Sequence, residues 1–445
     1  MAETPEGLTR RLARFVSQTN EADIPESIYE HAKVALLDWY AVTIAGKDDP
    51  LVRKLTHLAD QEGGNEQATL LGQGVKKTAS QATLINGAAS HALDYDDSLA
   101  FFLGHPSVTL FPSVLALAEW KGKKGGELLT AYIIGLRTGT ALGSFAGLGH
   151  YMAGWHGTST MGHLASASAC SRLLGLDPGT TTHALGIAAT QASGLKRVFG
   201  TMCKPFHAGK CSQAGLNSAL LAAEGFTSAE DALEGPQGFF DVLGGDKNEE
   251  VLKTLGQTWD IEALAQKYHA SCHATHSPIE AARKIVNEQG LFTDQIKSIM
   301  VKSSEMGLSA AHRVGAATGL EGKFSIPYCV ANALLRDNTG MQAFVDEQVN
   351  DPELQAFMKK ISLVKDEKKL ALEADVEVET TEGNVYSAFF DILQEVPPLE
   401  EKKEKLCEKF EDLCKPVLGG RKTEEIRDAI LALGSLEDIG VLFAT

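Results

Sequence analysis

Four segments of this chain, residues 82–93, 130–142, 160–174 and 184–193, are rich in Ala, Gly, Ser and Thr. Helices pack closely only where small side chains line the contact, so these segments predict a tight all-helical bundle. Each carries polar residues, among them His91, Arg137, His163 and Gln191. No stretch is long and apolar enough to span a membrane.

With 445 residues, the chain exceeds what one core fills, and two domains are expected. Up to residue 265 it reads as helix after helix. Pro25 opens one at a first-turn position, and Ile28, Val34, Leu36 and Leu37 carry it towards Gly46. The pattern then changes. Residues 296–303 and 374–379 alternate apolar and polar as half-buried strands do. Gly383 marks a turn before a further strand at 385–390, which makes a hairpin. Helices are expected after Pro278 and over residues 324–335. Beyond Pro397-Pro398, Leu406, Phe410, Leu413 and Cys414 recur at helical spacing, and Thr423 fits as the N-cap of a last helix. The charge run at 399–412 reads as a solvated helix face. The expected fold is mainly α: a large helical domain formed by 1–265 and 396–445, and a smaller α+β domain at 266–395.

Charge and composition narrow the function. Hydrophobic residues make up 44% and charged residues 22%, the balance of an ordinary globular protein. A formal net charge of -17 argues against a nucleic-acid partner, and an anionic substrate would need a local positive pocket. Seven scattered cysteines without a CxxC pair read as reduced thiols. The N-terminus lacks a basic region followed by an apolar run. A cytoplasmic protein is therefore expected. Neither a GxGxxG turn nor a P-loop occurs, so no nucleotide cofactor is indicated.

Three features carry possible chemistry. His91-Ala92-Leu93-Asp94-Tyr95-Asp96-Asp97-Ser98 crowds carboxylates that repel unless a cation or donor sits nearby; a helix end running into a polar loop also explains it. Second, His105, His156 and His276 each precede an apparent helix start. For the last, Ser277, Pro278 and Glu280 compose a capping box. A helix N-terminus keeps a nearby imidazole neutral and attracts a carboxylate. Third, Lys204 and His207 stand three apart between Gly200 and Gly209, in what reads as a shaped loop. A lysine there would neutralise a substrate carboxylate, with His207 beside it as a substrate-binding candidate; an ordinary surface lysine is the plainer account. The tract His269, Cys272, His273 and His276 looks superficially like a zinc site, but its spacing is not that of a finger. No HExxH or calcium-loop pattern occurs either, so no metal is expected.

Taken in order, HALDYDDS, the His105-Pro106-Ser107 turn, GWHGTST from Gly154, FGTMCKPFHAG from Phe199, KYHASCHATHSPIEAA from Lys267 and KFSIPY from Lys323 resemble the MmgE/PrpD family along nearly the whole chain. That family includes 2-methylcitrate dehydratases, cis-aconitate decarboxylases and iminodisuccinate epimerases. The resemblance implies a helical domain plus an α+β domain, usually as a homodimer, with no metal or organic cofactor. It implies pocket roles for Asp94, Ser98, His105, His156, Lys204, His276 and Tyr328. Ser98 stands where a Thr is common and Gln213 where many members carry an Arg. The wording around DDS and GWHGTST is nearest the epimerase branch. The implied activity is a lyase acting on a small di- or tricarboxylic acid by proton transfer next to a carboxylate. His105 and His156 would be acid and base, Lys204 would hold carboxylates, Asp94 would orient a histidine and Tyr328 would donate a proton or hydrogen bond. Ser98, His276 and His207 would bind substrate. An epimerase is the alternative. A metal-dependent hydrolase using Asp94–Asp97 with the 269–276 histidines, and a non-catalytic carboxylate-binding protein, also remain open.

Overall fold

The computed structural model describes residues 6–311, 313–370 and 372–444. The chain divides into two compact units, Met1–Gln266 with Leu399–Thr445, and Lys267–Pro398. The first is helical; the second combines helices with a small sheet.

In the helical unit, the Gly157–Leu174 helix packs against Ser107–Lys121, Gly125–Met152 and Cys203–Ala223. Small residues make this possible. A Cβ added to Gly87 in the Ala79–Ala92 helix would lie 2.6 Å from the Gly209 Cα, and one on Gly209 would lie 2.1 Å from the Leu84 carbonyl oxygen. Hydroxyls are satisfied within the bundle. Ser113 Oγ and Ser166 Oγ lie 2.8 Å apart across two helices. Thr78 and Gln81 form a capping box at the start of Ala79–Ala92. The first long helix begins at Glu26, so Pro25 stands just outside it as the N-cap residue.

His163 is enclosed in this bundle and donates from Nδ1 to the Ser159 carbonyl at 2.7 Å. Burial lowers its pKa to about 4. An unfolded chain binds the proton below about pH 6.5 and the native state does not, so stability falls as pH drops from there through 4. Urea unfolding followed across this window should show a loss on the order of 3 kcal/mol attributable to this residue. A His163→Gln variant with an unchanged acid limb would contradict this.

The chain returns to the first unit through the Leu399–Leu418 helix, which packs on Glu26–Gly46. Leu406, Phe410 and Cys414 are fully buried there. The charge run is not merely a solvated face. Lys402 donates to the carbonyls of Glu262 and Leu264 at 3.2 and 2.9 Å, and burial lowers its pKa to about 8. Lys409 is buried against Asp38. Nor does Thr423 cap the last helix. That helix begins at Gly420, and Thr423 lies inside it with its hydroxyl on the Gly419 carbonyl.

In the second unit, four strands run in the order Ile361–Lys365, Ile296–Ser303, Ala374–Thr380, Val385–Phe390. The first pair is parallel and the other two are antiparallel. The hairpin pairs Ala374 with Phe390 and Glu379 with Val385, and Gly383 takes a φ of 90° in its turn. The His276–Gln289 helix packs on these last two strands. It starts at His276, two residues earlier than a Ser277 cap requires. The expected capping box is absent because its members have other partners: Ser277 Oγ accepts from the Ile392 amide and Glu280 pairs with His269. Ser325 caps the Ile326–Arg336 helix by accepting from the Tyr328 amide. No helix among the described residues is long and apolar enough to cross a membrane.

Candidate active site

The site in the helical unit begins where the Ala79–Ala92 helix stops. Asp94 adopts the left-handed conformation, φ 53°, which aspartate tolerates better than most residues. The chain reverses there, and the next carboxylates fan out to different partners.

Asp96 is buried and bridges two imidazoles. His91 Nδ1 lies 2.8 Å from Oδ1, and His105 Nδ1 lies 2.9 Å from Oδ2. Burial opposes its charge, but the two imidazoles outweigh that and hold its pKa well below the usual carboxylate range. His91 is wholly buried. Burial lowers its pKa to about 4 against the pull of Asp96, so its neutral ring donates to that carboxylate. His105 Nδ1 is also 2.7 Å from the Asp97 carbonyl oxygen. A carbonyl can only accept, so the hydrogen of this imidazole sits on Nδ1 and the lone pair on Nε2. Asp97 turns elsewhere. It accepts from the Ser107 amide and hydroxyl at the start of the Ser107–Lys121 helix, and burial, then the nearby Asp38 charge, push its pKa well up.

The His105 turn lies against the Gly157–Leu174 helix. A Cβ on Gly104 would come within 2.3 Å of Thr158 Oγ1, which accepts the His105 amide at 3.1 Å. His156 is the N-cap residue of that helix and 2% exposed. Its amide donates to the Gly194 carbonyl, its ring meets the edge of Phe199, and its Nδ1 lies 3.0 Å from Nδ1 of His207. Burial, then Lys204, drives its pKa well below the ordinary histidine value.

Lys204 and His207 do not sit in a loop. Both belong to the Cys203–Ala223 helix, in which Pro205 is tolerated because it lies in the first turn. Lys204 Nζ pairs with Asp94 Oδ1 at 2.7 Å. His207 sets its Nδ1 3.0 Å from Nδ1 of His156. Asp94, His105, His156, Lys204 and His207 therefore come together in one unit. His91, Asp96 and Phe199 join them; His91 and Asp96 stood in the acidic motif, but nothing in its spacing showed that the carboxylate bridges two imidazoles.

Ser98 follows the cluster on a half-buried segment whose backbone pairs with Ala265. His276 and Tyr328 belong to the second unit. His276 is fully buried between the rings of His269 and His273. Its Nε2 donates to the Ser271 carbonyl at 3.2 Å, and burial, then those two neighbours, keep it neutral. The buried Tyr328 hydroxyl donates to the Ala343 carbonyl.

His91, Asp94, Asp96 and His105 present ligand atoms within 4.8 Å of one another, a spacing that could hold a cation. Two features disfavour it: both Nδ1 hydrogens point at Asp96, and the Lys204 ammonium already supplies the positive charge at Asp94. The 269–276 histidines form no comparable group among the described residues.

Comparison with known proteins agrees with this architecture. The MmgE/PrpD N-terminal domain model matches residues 10–252 and the MmgE/PrpD C-terminal domain model residues 269–434. The chain is 27% identical to the cis-aconitate decarboxylase-like protein oryM of Aspergillus oryzae, over 99% of this chain and 98% of that protein. It is 26% identical to a cis-aconitate decarboxylase of Aspergillus terreus, over 98% and 95% of the two chains, and 25% identical to the Homo sapiens cis-aconitate decarboxylase, over 98% and 93%. With both domain models matched in order along almost its entire length, the chain belongs to the MmgE/PrpD family.

Proposed function

We propose that this protein is a cofactor-independent lyase acting on a small di- or tricarboxylic acid, with loss of carbon dioxide from a cis-aconitate-like acid as the first reaction to test. The relatives' activity motivates that choice. The observation that carries it is the fixed tautomer of His105, whose ring shares one cluster with Asp94, the carboxylate paired with Lys204. Carbon next to a carboxylate is a weak acid, so the enzyme must both exchange a proton there and stabilise negative charge. His156 supplies the acid, and His105 the base in the readings that take a proton from carbon. Lys204, shared with Asp94, holds a substrate carboxylate against the negative field of the whole molecule. In decarboxylation the bond to the departing carboxylate breaks, its electron pair stays on carbon, and that carbon takes a proton. A dehydratase would instead remove a proton and expel a β-hydroxyl. Epimerisation is the second reading, favoured by two imidazoles on separate elements, one for each face of a carbon. The family resemblance adds the expectation of a homodimer, which sedimentation checks.

Proton NMR in deuterated buffer with citrate, 2-methylcitrate, cis-aconitate and iminodisuccinate separates these readings. A lyase gives a new carbon skeleton or an alkene. An epimerase gives deuterium in an otherwise unchanged acid. No conversion of any acid would sink the enzymatic reading. Full activity in chelator-treated, metal-free protein is expected. Lys204→Met should raise KM about tenfold to hundredfold, the cost of one charge-assisted hydrogen bond of ~1.5–3 kcal/mol. An unchanged KM would remove Lys204 from substrate binding.

A further inference from the structure

We infer that Thr158 is a positioning residue that sets the place of His105 against His156. The inference rests on the reading above only in that both imidazoles serve one substrate. The two rings stand on different segments. His105 follows the turn closed by the Leu99–Gly104 backbone pair, and His156 is the N-cap residue of the Gly157–Leu174 helix. Thr158 lies in the first turn of that helix and is fully buried. Its Oγ1 accepts the amide hydrogen of His105 at 3.1 Å. One hydroxyl thus ties the backbone of His105 to a point just beyond His156 in the chain.

Both segments are shaped for this contact. A Cβ on Gly104 would lie 2.6 Å from the Thr158 nitrogen, and one on Gly157 would lie 2.3 Å from the Leu103 carbonyl oxygen. Neither position admits a larger residue without parting the two segments. Leu103 takes a left-handed φ of 59°, which a bulky residue adopts only where its surroundings impose it. On its other side the helix start is held by the His156 amide, which donates to the Gly194 carbonyl at 2.9 Å. The turn has a separate anchor. The buried Phe102 ring packs on Gly139 of the Gly125–Met152 helix, where an added Cβ would come within 2.2 Å of it. The Thr158 hydroxyl is therefore not what keeps the turn on the bundle. It adds a directional link, whose loss leaves the His105 amide without its acceptor and lets the imidazole shift. A catalytic group held about 1 Å out of place costs about hundredfold in rate.

The test compares Thr158→Ala with Thr158→Ser. Both delete the methyl group, and only alanine deletes the hydroxyl. On whichever acid the unsubstituted enzyme converts, kcat of Thr158→Ala should be about tenfold to hundredfold below that of Thr158→Ser, with KM unchanged and melting temperatures close together. Equal kcat in the two variants, or a loss of kcat matched by a loss of melting temperature, would overturn the inference and leave a structural role. If the alanine variant does not fold, Thr158→Val, which keeps the branched shape without the hydroxyl, takes its place with the same expectations. A second readout is independent of activity. In NMR of the free protein with isotope-labelled histidine, loss of the hydroxyl should move the ring signals of His105. Those of His183, bonded to Ser228 away from this contact, should stay in place. Unmoved His105 signals would reject the link. An unsubstituted protein that converts no acid sinks the enzymatic reading instead, and the NMR comparison then decides alone whether Thr158 places His105.

Discussion

Replacing His105 by glutamine lowers kcat for dehydration or epimerisation, the readings that take a proton from carbon, by about 10²–10⁴-fold, the range for removing a positioned general base, and leaves KM nearly unchanged. The expectation follows from its hydrogen bonds. Nδ1 faces the Asp97 carbonyl at 2.7 Å and Asp96 at 2.9 Å, and both can only accept. The lone pair is thereby fixed on Nε2 before any substrate arrives. Glutamine fills a similar volume but has no basic nitrogen. The companion variant Asp96→Asn separates orientation from basicity. It loses the carboxylate that holds His91 and His105 together, yet the Asp97 carbonyl still fixes the His105 tautomer. Its kcat should fall less, by about tenfold to hundredfold, and with one amide oxygen left for two imidazole N–H groups, the 4.6 Å packing of the His91 and His105 rings should loosen. Steady-state kinetics on the acid identified by NMR read both. His105→Gln with unimpaired kcat would remove this imidazole from the chemistry altogether.

How much of this was legible beforehand depends on the range of each interaction. Small residues at 82–93 and 160–174 announce close helix packing because the requirement is local to each helix face. The alternation of residues 296–303 and 374–379 announces strands for the same reason. His105 and His156 were found because each precedes a helix start, a pattern within a few residues. Asp96 was hidden: its role depends on the left-handed turn at Asp94, which no spacing rule specifies. Residues 200–209 read as a loop because two glycines bracket a proline. Gly209, however, serves a helix crossing against Leu84, and Pro205 sits where a helix accepts it. At 276–280, polar residues that would cap a helix in isolation are drawn to partners elsewhere in the second unit. Composition could not show which lysines of the 399–412 run are buried, since their partners lie far away in sequence.

Lys409→Met should destabilise the helical unit by about 3–5 kcal/mol, the cost of breaking a buried ion pair from one side. Lys409 Nζ lies 2.6 Å from Asp38 Oδ1, with side chains 4% and 1% exposed. It also donates to the Tyr95 carbonyl at 2.7 Å and stands 3.7 Å from the centre of the Tyr95 ring. Methionine keeps the apolar stem and deletes the ammonium, leaving the Asp38 carboxylate in a medium that solvates it poorly. The urea midpoint should fall accordingly. The double variant Asp38→Leu with Lys409→Met should recover most of that loss, because a buried pair replaced as a whole by apolar groups costs little. A single-variant loss below about 1 kcal/mol, typical of exposed pairs, would show that water reaches this pair after all. Activity gives an independent reading. Tyr95 stands between Asp94 and Asp96, so Lys409 also anchors the backbone that presents both carboxylates. The double variant should therefore regain stability without regaining full kcat. If stability and kcat return together, the C-terminal helix holds the fold and not the site.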